Sequence, residues 1–147
     1  FATYYIQKVI DACKSMSMSR TGALIVFAKT YEEQVFNNNG EVIDARISKR
    51  LLEAIFAKTS PIHDGAVVIS EGLIRVASCI LPLTENSEIP AQLGLRHRAA
   101  VGITEQSDAI AIIVSEETGF ISYASRGKVR TNISLQELDR LLQKDVA

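Results

Sequence analysis

Two short segments of this 147-residue chain combine the side chains that phosphoryl or nucleotidyl transfer requires. Residues 63–66 read HDGA directly before an apolar run, so an imidazole and an acid lie where a loop meets a strand. Residues 96–98 read RHR. The carboxylate of Asp64 could hold a divalent metal or accept a proton, and each guanidinium presents a planar fork of donors that suits phosphate oxygens. The pair of segments predicts metal-assisted phosphate chemistry.

Each of these residues also has a structural interpretation. Asp-Gly is a common turn dipeptide, so Asp64 alone does not establish a site, and His63 alone is better explained as a structural histidine. Arg96 and Arg98 could form a solvated helix start. Positive charge at a helix start opposes the helix dipole, however, and that cost is better explained if an anion binds there.

A third polar segment follows the apolar run at residues 109–114. Glu116 and Glu117 are either a polar turn between strands or the source of a second metal ligand at a central strand end. Ser115 could donate to a phosphate oxygen or cap the same turn. The sequence contains no Walker-type loop, no GxGxxG and no GxSxG, which removes several common nucleotide-binding and hydrolase interpretations.

Composition sets the class of protein. A net charge of −1 argues against a broad basic face for nucleic acid, although a small anionic ligand needs only a local basic site. Cys13 and Cys79 have no metal-site spacing and are predicted to be buried free thiols. No segment has the length and apolarity of a membrane span. Because the chain begins at Phe1, we expect a fragment, with one domain at residues 1–147 and any membrane anchor upstream.

Hydrophobic periodicity and turn signals predict the elements that must position these residues. The Ser-rich segment 15–19 is predicted to break the first helix, and Ser48 and Ser134 are predicted helix N-caps. The predicted elements are a helix at 4–13, strands at 23–27, 66–70, 73–81, 109–115 and 120–124, and helices after 48, at 96–103 and after 134. Hairpins beside helical crossovers predict an α/β (α+β mixed) fold with a central mixed parallel and antiparallel sheet flanked by helices.

The acidic motif and the RHR motif together resemble the paired signature of the diadenylate cyclases, which make cyclic di-AMP. The blocks that carry the resemblance are residues 21–24, 61–66, 81–83, 93–94, 96–102 and 114–119. The helices at the two ends are most similar to those of the membrane-anchored class. The resemblance implies condensation of two ATP into cyclic di-AMP and two pyrophosphates across a face-to-face homodimer, at the cytoplasmic face of the membrane.

The resemblance also implies roles for individual residues. Asp64 is expected to hold Mn²⁺ or Mg²⁺ and to favour deprotonation of the attacking 3′-hydroxyl, with His63 and Glu117 as further metal ligands. Gly65 is expected to let the backbone approach the nucleotide, and the backbone of Leu81 to contact adenine. The remaining residues expected at the catalytic or ATP-binding site are Ala66, Arg96, His97, Arg98, Ser115 and Glu116.

Two positions depart from the family pattern. Leu95 stands where many relatives have threonine, which removes one possible hydroxyl contact to phosphate. Ile80 stands where many membrane-anchored relatives have tyrosine, so ring stacking on the base is lost. A non-catalytic module that senses ATP or cyclic di-AMP is the alternative function, and a structural dimerisation domain is a third, which leaves the clustered polar residues unexplained.

Overall fold

The computed structural model describes residues 2–147 as one sheet of seven strands with helices on both faces. The helices are α1 Ala2–Ser19, α2 Glu33–Phe36, α3 Lys49–Phe56, α4 Leu95–Gln106 and α5 Leu135–Asp145, with a 3-10 turn at Asn37–Asn39. The strands are β1 Ala23–Phe27, β2 Glu41–Arg46, β3 Ala66–Ser70, β4 Leu73–Cys79, β5 Ile110–Val114, β6 Ile121–Ser125 and β7 Lys128–Arg130. Within the described residues, no helix has both the length and the apolar character needed to cross a bilayer.

The sheet is mixed, as predicted, with the order β2-β4-β3-β1-β5-β6-β7. The central strand β1 runs parallel to β3, where Ile25 pairs with Val67, and antiparallel to β5, where Ile25 pairs with Ile112. The other neighbouring strands pair antiparallel. The predicted α/β fold with a central mixed sheet flanked by helices is therefore confirmed.

Successive residues of each strand point into two separate cores, because side chains alternate across a sheet. In β5, Ile110, Ile112 and Val114 belong to the core beneath α1, α3 and α5. Ala111 and Ile113 belong to the core beneath α4. All of β5 is buried, which confirms the prediction of a central strand covered on both faces.

Several features that were predicted from local sequence signals are present in the structure. The hydroxyl oxygen of Ser48 caps α3 by accepting a hydrogen bond from the amide nitrogen of Leu51 at 3.0 Å, and Ser134 caps α5 in the same way at 3.1 Å from the nitrogen of Glu137. Cys13 and Cys79 are buried free thiols. These features are signalled by neighbouring residues and by apolar patterning along the chain, so they can be predicted without tertiary structure.

The predicted break in the Ser-rich segment was wrong, because α1 continues through Ser19. Met16 is almost fully buried in the main core, which fixes this turn of helix despite the weak helix propensity of serine. The hydroxyls of Ser15 and Ser17 donate to groups on α3 and on the β5–β6 turn. Tertiary contacts therefore override the local signal.

Strands β2 and β7 and helix α2 were not predicted. β2 is an edge strand whose residues are exposed or half-buried, so it lacks the apolar run that marks the inner strands. Asp44 has a φ of 49° at a register shift against β4, which interrupts the period-two pattern further. An edge strand with a bulge leaves almost no periodic signal in the sequence.

Candidate active site

The strand directions bring the predicted motifs to one edge of the sheet. Because β1 and β3 are parallel, the residues that precede them, Gly22 and Gly65, lie at the same edge. β4 and β5 run antiparallel to those strands, so the residues that follow them, Ile80 and Ser115, lie there as well. Segments that are far apart in sequence therefore meet at this edge.

A cavity of about 970 Å³ opens at this edge, between the sheet and the amino end of α4. Its sheet side includes Leu24 of β1 and Ile113 of β5, which are paired across the two strands. The volume is within the usual range for a site that holds a cofactor or a nucleotide. The predicted site residues that line it are Asp64, Gly65, Leu81, Arg96, His97, Ser115, Glu116 and Glu117.

Three predicted site residues lie outside this lining. Ala66 is fully buried as the first residue of β3, in the core beneath α4. Arg98 is half-buried on α4, where its amide donates to Gly94 and its carbonyl accepts from Thr84. His63 lies beside Asp64 rather than in the lining. The structure therefore separates Arg96 from Arg98, which the sequence had paired.

The carboxylate of Asp64 is exposed and is held from one side by His63. One nitrogen of the His63 ring is 2.7 Å from the carbonyl oxygen of Ser60, and the other is 3.3 Å from a carboxylate oxygen of Asp64. The Asp64 side chain is 81% exposed. A carboxylate with one fixed neighbour and an open face can bind a cation or accept a proton from a ligand.

Gly65 allows the loop to pass against the end of β4. Its φ is +84°, a conformation that L side chains rarely adopt. A Cβ at this position would also lie 2.8 Å from the carbonyl oxygen of Cys79. Only glycine fits here, so the backbone beside Asp64 borders the cavity directly.

Arg96 supplies positive charge at the amino end of α4. Its Nη1 lies 3.4 Å from a carboxylate oxygen of Glu116, and its side chain is 24% exposed. Gly94, the N-cap of α4, provides no side-chain cap for the helix. An anion in the cavity would meet both the guanidinium and the positive end of the helix dipole.

His97 differs from the two arginines that flank it. It is buried, and burial lowers its pKa below the usual value, with the nearby charge of Arg96 lowering it further. The ring is therefore neutral near pH 7. His97 can then donate one hydrogen bond and accept another at the cavity wall, but it adds no positive charge.

The turn after β5 is organised by Ser115 and held by α1. The hydroxyl of Ser115 accepts the amide protons of Glu117 and Thr118 at 3.1 and 3.2 Å, so it caps the turn. Its own proton stays available for a ligand. Arg20 donates to the carbonyl of Glu117, which ties the end of α1 to the cavity.

These side chains suit a metal ion that takes some of its ligands from the protein and the others from a phosphate. Within residues 2–147, no group of three or more His, Cys, Asp and Glu side chains is placed to hold a metal. His63, Asp64 and Glu117 therefore do not form a complete protein cage. Mg²⁺ is commonly bound by one or two carboxylates together with substrate phosphates, and the exposed carboxylate of Asp64 fits that mode.

Apolar residues around the cavity were largely missed by sequence reasoning. Four large apolar side chains border it and are exposed by 48–71%: Ile80, Leu83, Leu95 and Phe120. Only Ile80 and Leu95 had been singled out, as departures from a family pattern. Leu83 and Phe120 lie in loops; Phe120 is predicted as the first residue of a strand at 120–124, but β6 begins one residue later and leaves it at the rim.

Comparison with known proteins shows which family shares these features. Residues 10–129 match the family described as DAC, DisA bacterial checkpoint controller nucleotide-binding. The chain is 40% identical to the diadenylate cyclase CdaS of Bacillus thuringiensis, over 88% of this chain and 70% of the relative. It is 38% identical to the cyclic di-AMP synthase CdaA of Bacillus subtilis, over 95% of this chain and 51% of the relative.

A solved structure agrees with these matches. The crystal structure of a double mutant of DacA from Staphylococcus aureus superposes with a TM-score of 0.93 at 44% identity, covering 97% of this chain and 95% of that chain. The chain spans about half the length of CdaA. The likeness therefore covers nearly the whole of the fold described above.

Proposed function

This chain belongs to the DAC family of diadenylate cyclases, and we propose that residues 1–147 form one catalytic domain that performs the family's reaction. Two ATP molecules would be joined into cyclic di-AMP with release of two pyrophosphates. In each half-reaction the 3′-oxygen of one ATP forms a bond to the α-phosphorus of the other. The bond from that phosphorus to pyrophosphate breaks, and the 3′-hydroxyl loses its proton.

One observation carries the proposal: a single cavity of nucleotide size is bordered by the exposed carboxylate of Asp64 and by the guanidinium of Arg96. Nucleotidyl transfer requires a group that favours loss of the hydroxyl proton and a cation that stabilises charge on the phosphate oxygens. These two groups come from different elements at the same sheet edge. The other residues of the site refine that arrangement.

The residues around this pair have roles that follow from their contacts. Gly65 brings backbone against the nucleotide, and Leu81 borders the cavity, so its backbone is available for an adenine contact. Ser115 offers its hydroxyl proton to a phosphate oxygen, and neutral His97 offers one N–H donor. Glu116 forms a 3.4 Å ion pair with Arg96 at the cavity.

Asp64 would hold a divalent ion, Mn²⁺ or Mg²⁺, with His63 and Glu117 as the remaining candidate ligands of this chain. The ion would supply charge stabilisation at the phosphate oxygens. Arg98 and Ala66 lie outside the cavity lining, so their predicted contacts to ATP stay predictions. Ala66 supports Gly65 from the core, and Arg98 is the arginine whose role requires a test.

A homodimer would complete the site. The chain has one acidic motif and one RHR motif, whereas cyclic di-AMP contains two equivalent phosphodiesters. A two-fold dimer is the simplest closed assembly that supplies two copies of each motif. The exposed apolar rim formed by Ile80, Leu83, Leu95 and Phe120 borders the cavity and would be covered in a pair that meets at the cavity.

Incubation of the purified domain with ATP and Mn²⁺, with product detection by mass spectrometry, tests the reaction. Cyclic di-AMP formation with two pyrophosphates per product supports it. Binding of ATP or cyclic di-AMP without turnover would instead support the sensor function. Arg96→Ala and Arg98→Ala should each reduce turnover with little change in thermal stability, and a large loss of stability in both would favour a structural role for these arginines.

Dilution of the enzyme tests the shared site. Because the product has to leave and polar motifs as well as the apolar rim line the contact, the dimer is expected to dissociate readily, and specific activity per chain should rise with enzyme concentration. An excess of Asp64→Asn chains should reduce the activity of wild-type chains by forming inactive mixed pairs. Constant specific activity from nanomolar to micromolar enzyme, in a sample shown to be monomeric by light scattering, would contradict this assembly.

The cytoplasmic face of the membrane is the proposed location of the full-length protein. The basis is the resemblance of the terminal helices to the membrane-anchored class of cyclases. Fractionation of cells that express the full-length gene, with detection of this domain, tests it. Protease protection of the domain in sealed right-side-out vesicles is the expected result.

A further inference from the structure

The guanidinium of Arg96 lies against the backbone of Gly22, at the start of β1. A Cβ built on Gly22 would lie 2.5 Å from Cζ of Arg96, 2.5 Å from Nη1 and 2.8 Å from Nη2. Carbon atoms in favourable contact are about 3.5–4.0 Å apart. The space that a methyl group would occupy at position 22 is therefore already filled by the charged end of Arg96.

Backbone conformation does not explain the glycine at this position. The glycines with positive φ are Gly65, Gly72, Gly119 and Gly127, and Gly22 is not among them. An alanine could adopt the same backbone shape. The requirement at position 22 is space for another side chain, not conformational freedom.

The rest of the environment holds Arg96 only loosely. Its single ion pair to Glu116 is 3.4 Å long, and its Nε is buried without a hydrogen-bond partner among the described residues. An arginine with so few directional contacts takes its position mainly from packing. The surface that it packs against is the peptide backbone at Gly22.

We propose that Gly22 is a positioning residue for catalysis, because its missing side chain lets the Arg96 guanidinium lie at the edge of β1 and face the cavity. This inference rests on the proposed function, in which Arg96 binds the phosphates of ATP. A methyl group at position 22 pushes away the end of a flexible side chain rather than backbone. The fold would tolerate Gly22→Ala, and the site would not.

A double-mutant cycle tests the proposal. We expect Gly22→Ala to reduce turnover at saturating ATP by at least about tenfold, while its melting temperature stays within about 3 °C of wild type, as for substitutions that leave the core intact. In an Arg96→Ala background, Gly22→Ala should cause no further loss. Thr21→Ala is the matched control, since the hydrogen bond of its hydroxyl within the described residues is to Ser19, and it should keep wild-type turnover.

Two outcomes would overturn the proposal. Gly22→Ala with wild-type turnover would show that the guanidinium does not need this space. An equal loss of activity in the presence and absence of Arg96 would show that Gly22 acts independently of it. Gly22→Ala with Arg96→Lys provides a further check, because the narrower ammonium should make the Lys variant insensitive to the methyl group.

A crystal structure of the Gly22→Ala variant separates this inference from the proposed reaction. The guanidinium should be displaced from its place over residue 22, with the backbone of β1 unchanged. If wild-type protein formed no cyclic di-AMP, the proposed function would fail, but this displacement would still be observed. A guanidinium that stays in place beside the added methyl group would overturn the positioning role in either case.

Discussion

Large side chains predominate on one face of the sheet (the large-residue face), whereas the core on the other face is rich in alanine (the small-residue face). The face beneath α1, α3 and α5 buries residues such as Met16, Leu52 and Phe56. On the face beneath α4, alanine recurs on both the helix and the strands; the alanines of this core are Ala28, Ala66, Ala99, Ala100, Ala109, Ala111 and Ala124. Three helices cover the first face, and a single long helix covers the second.

The two faces therefore have different roles: the large-residue face contributes most of the stability, and the small-residue face borders the candidate site. Small side chains of α4 and of the strands meet in this core, and a methyl group on Gly102 of α4 would collide with the carbonyl oxygen of Pro82 in the loop that follows β4. The cavity opens where α4 begins, at Leu95, next to the strand ends. The large-residue face supplies most of the apolar burial, so the small-residue face can keep an open site.

Substitution of Asp64 should produce the largest effect, on activity alone. Asp64→Asn keeps the shape and removes the charge, so we expect turnover to fall by about 10²–10⁴-fold, the usual range for loss of a proton-transfer group. Thermal stability should be unchanged because the side chain is exposed. Asp139→Asn on α5 is the matched control and should keep full activity; near wild-type turnover of the Asp64 variant would contradict the assignment.

Truncation of a side chain on the large-residue face should lower stability and leave activity unchanged. Leu138 of α5 is fully buried, so Leu138→Ala should lower the free energy of unfolding by about 2–5 kcal/mol, as measured in urea. Turnover per folded molecule should not change. Leu95→Ala at the cavity rim is the control, with a change below about 0.5 kcal/mol, and an equal loss in both variants would remove the distinction between the faces.

An aromatic residue at the cavity rim should sharpen ligand binding without affecting the core. Ile80 is 64% exposed and borders the cavity, so an aromatic ring can be accommodated in its place. Ile80→Tyr should tighten ATP binding by about 1 kcal/mol through stacking on the base, as measured by calorimetry. Ile80→Val should show no such gain. Weaker or equal affinity of the Tyr variant would show that residue 80 does not cover adenine.

The smallest effect is expected at the surface of α5, as a dependence of stability on pH. Hydrogen bonds from Arg140 and Arg130 lower the pKa of Glu137 to about 2, from a usual value of 4.5. A carboxyl with a depressed folded-state pKa stabilises the fold above pH 4.5, and that contribution is lost between pH 4.5 and 2. The melting temperature of the Glu137→Gln variant should therefore be slightly below that of wild type at pH 7. Near pH 2 the two melting temperatures should be equal. A constant difference across this range would rule out the ion pairs as its cause.

Much of the fold and part of the site could be predicted because their signals are local. The buried strand β5, the N-caps Ser48 and Ser134, and the DG and RHR motifs are all read from consecutive residues. The course of α1 through Ser19 and the edge strand β2 were missed, since burial of Met16 and pairing with β4 decide them. The apolar rim was missed for the same reason, because exposure depends on the whole fold.

The sequence by itself determined which segments become inner strands and helices, and which residues carry acid and positive charge. Only the tertiary structure decided which of them share a cavity. It placed Asp64 and Arg96 at one sheet edge, left Arg98 outside the lining, and set Gly22 against Arg96. The physical reason is that periodicity and motifs are properties of neighbours along the chain, whereas a site depends on strand direction and on packing between distant residues.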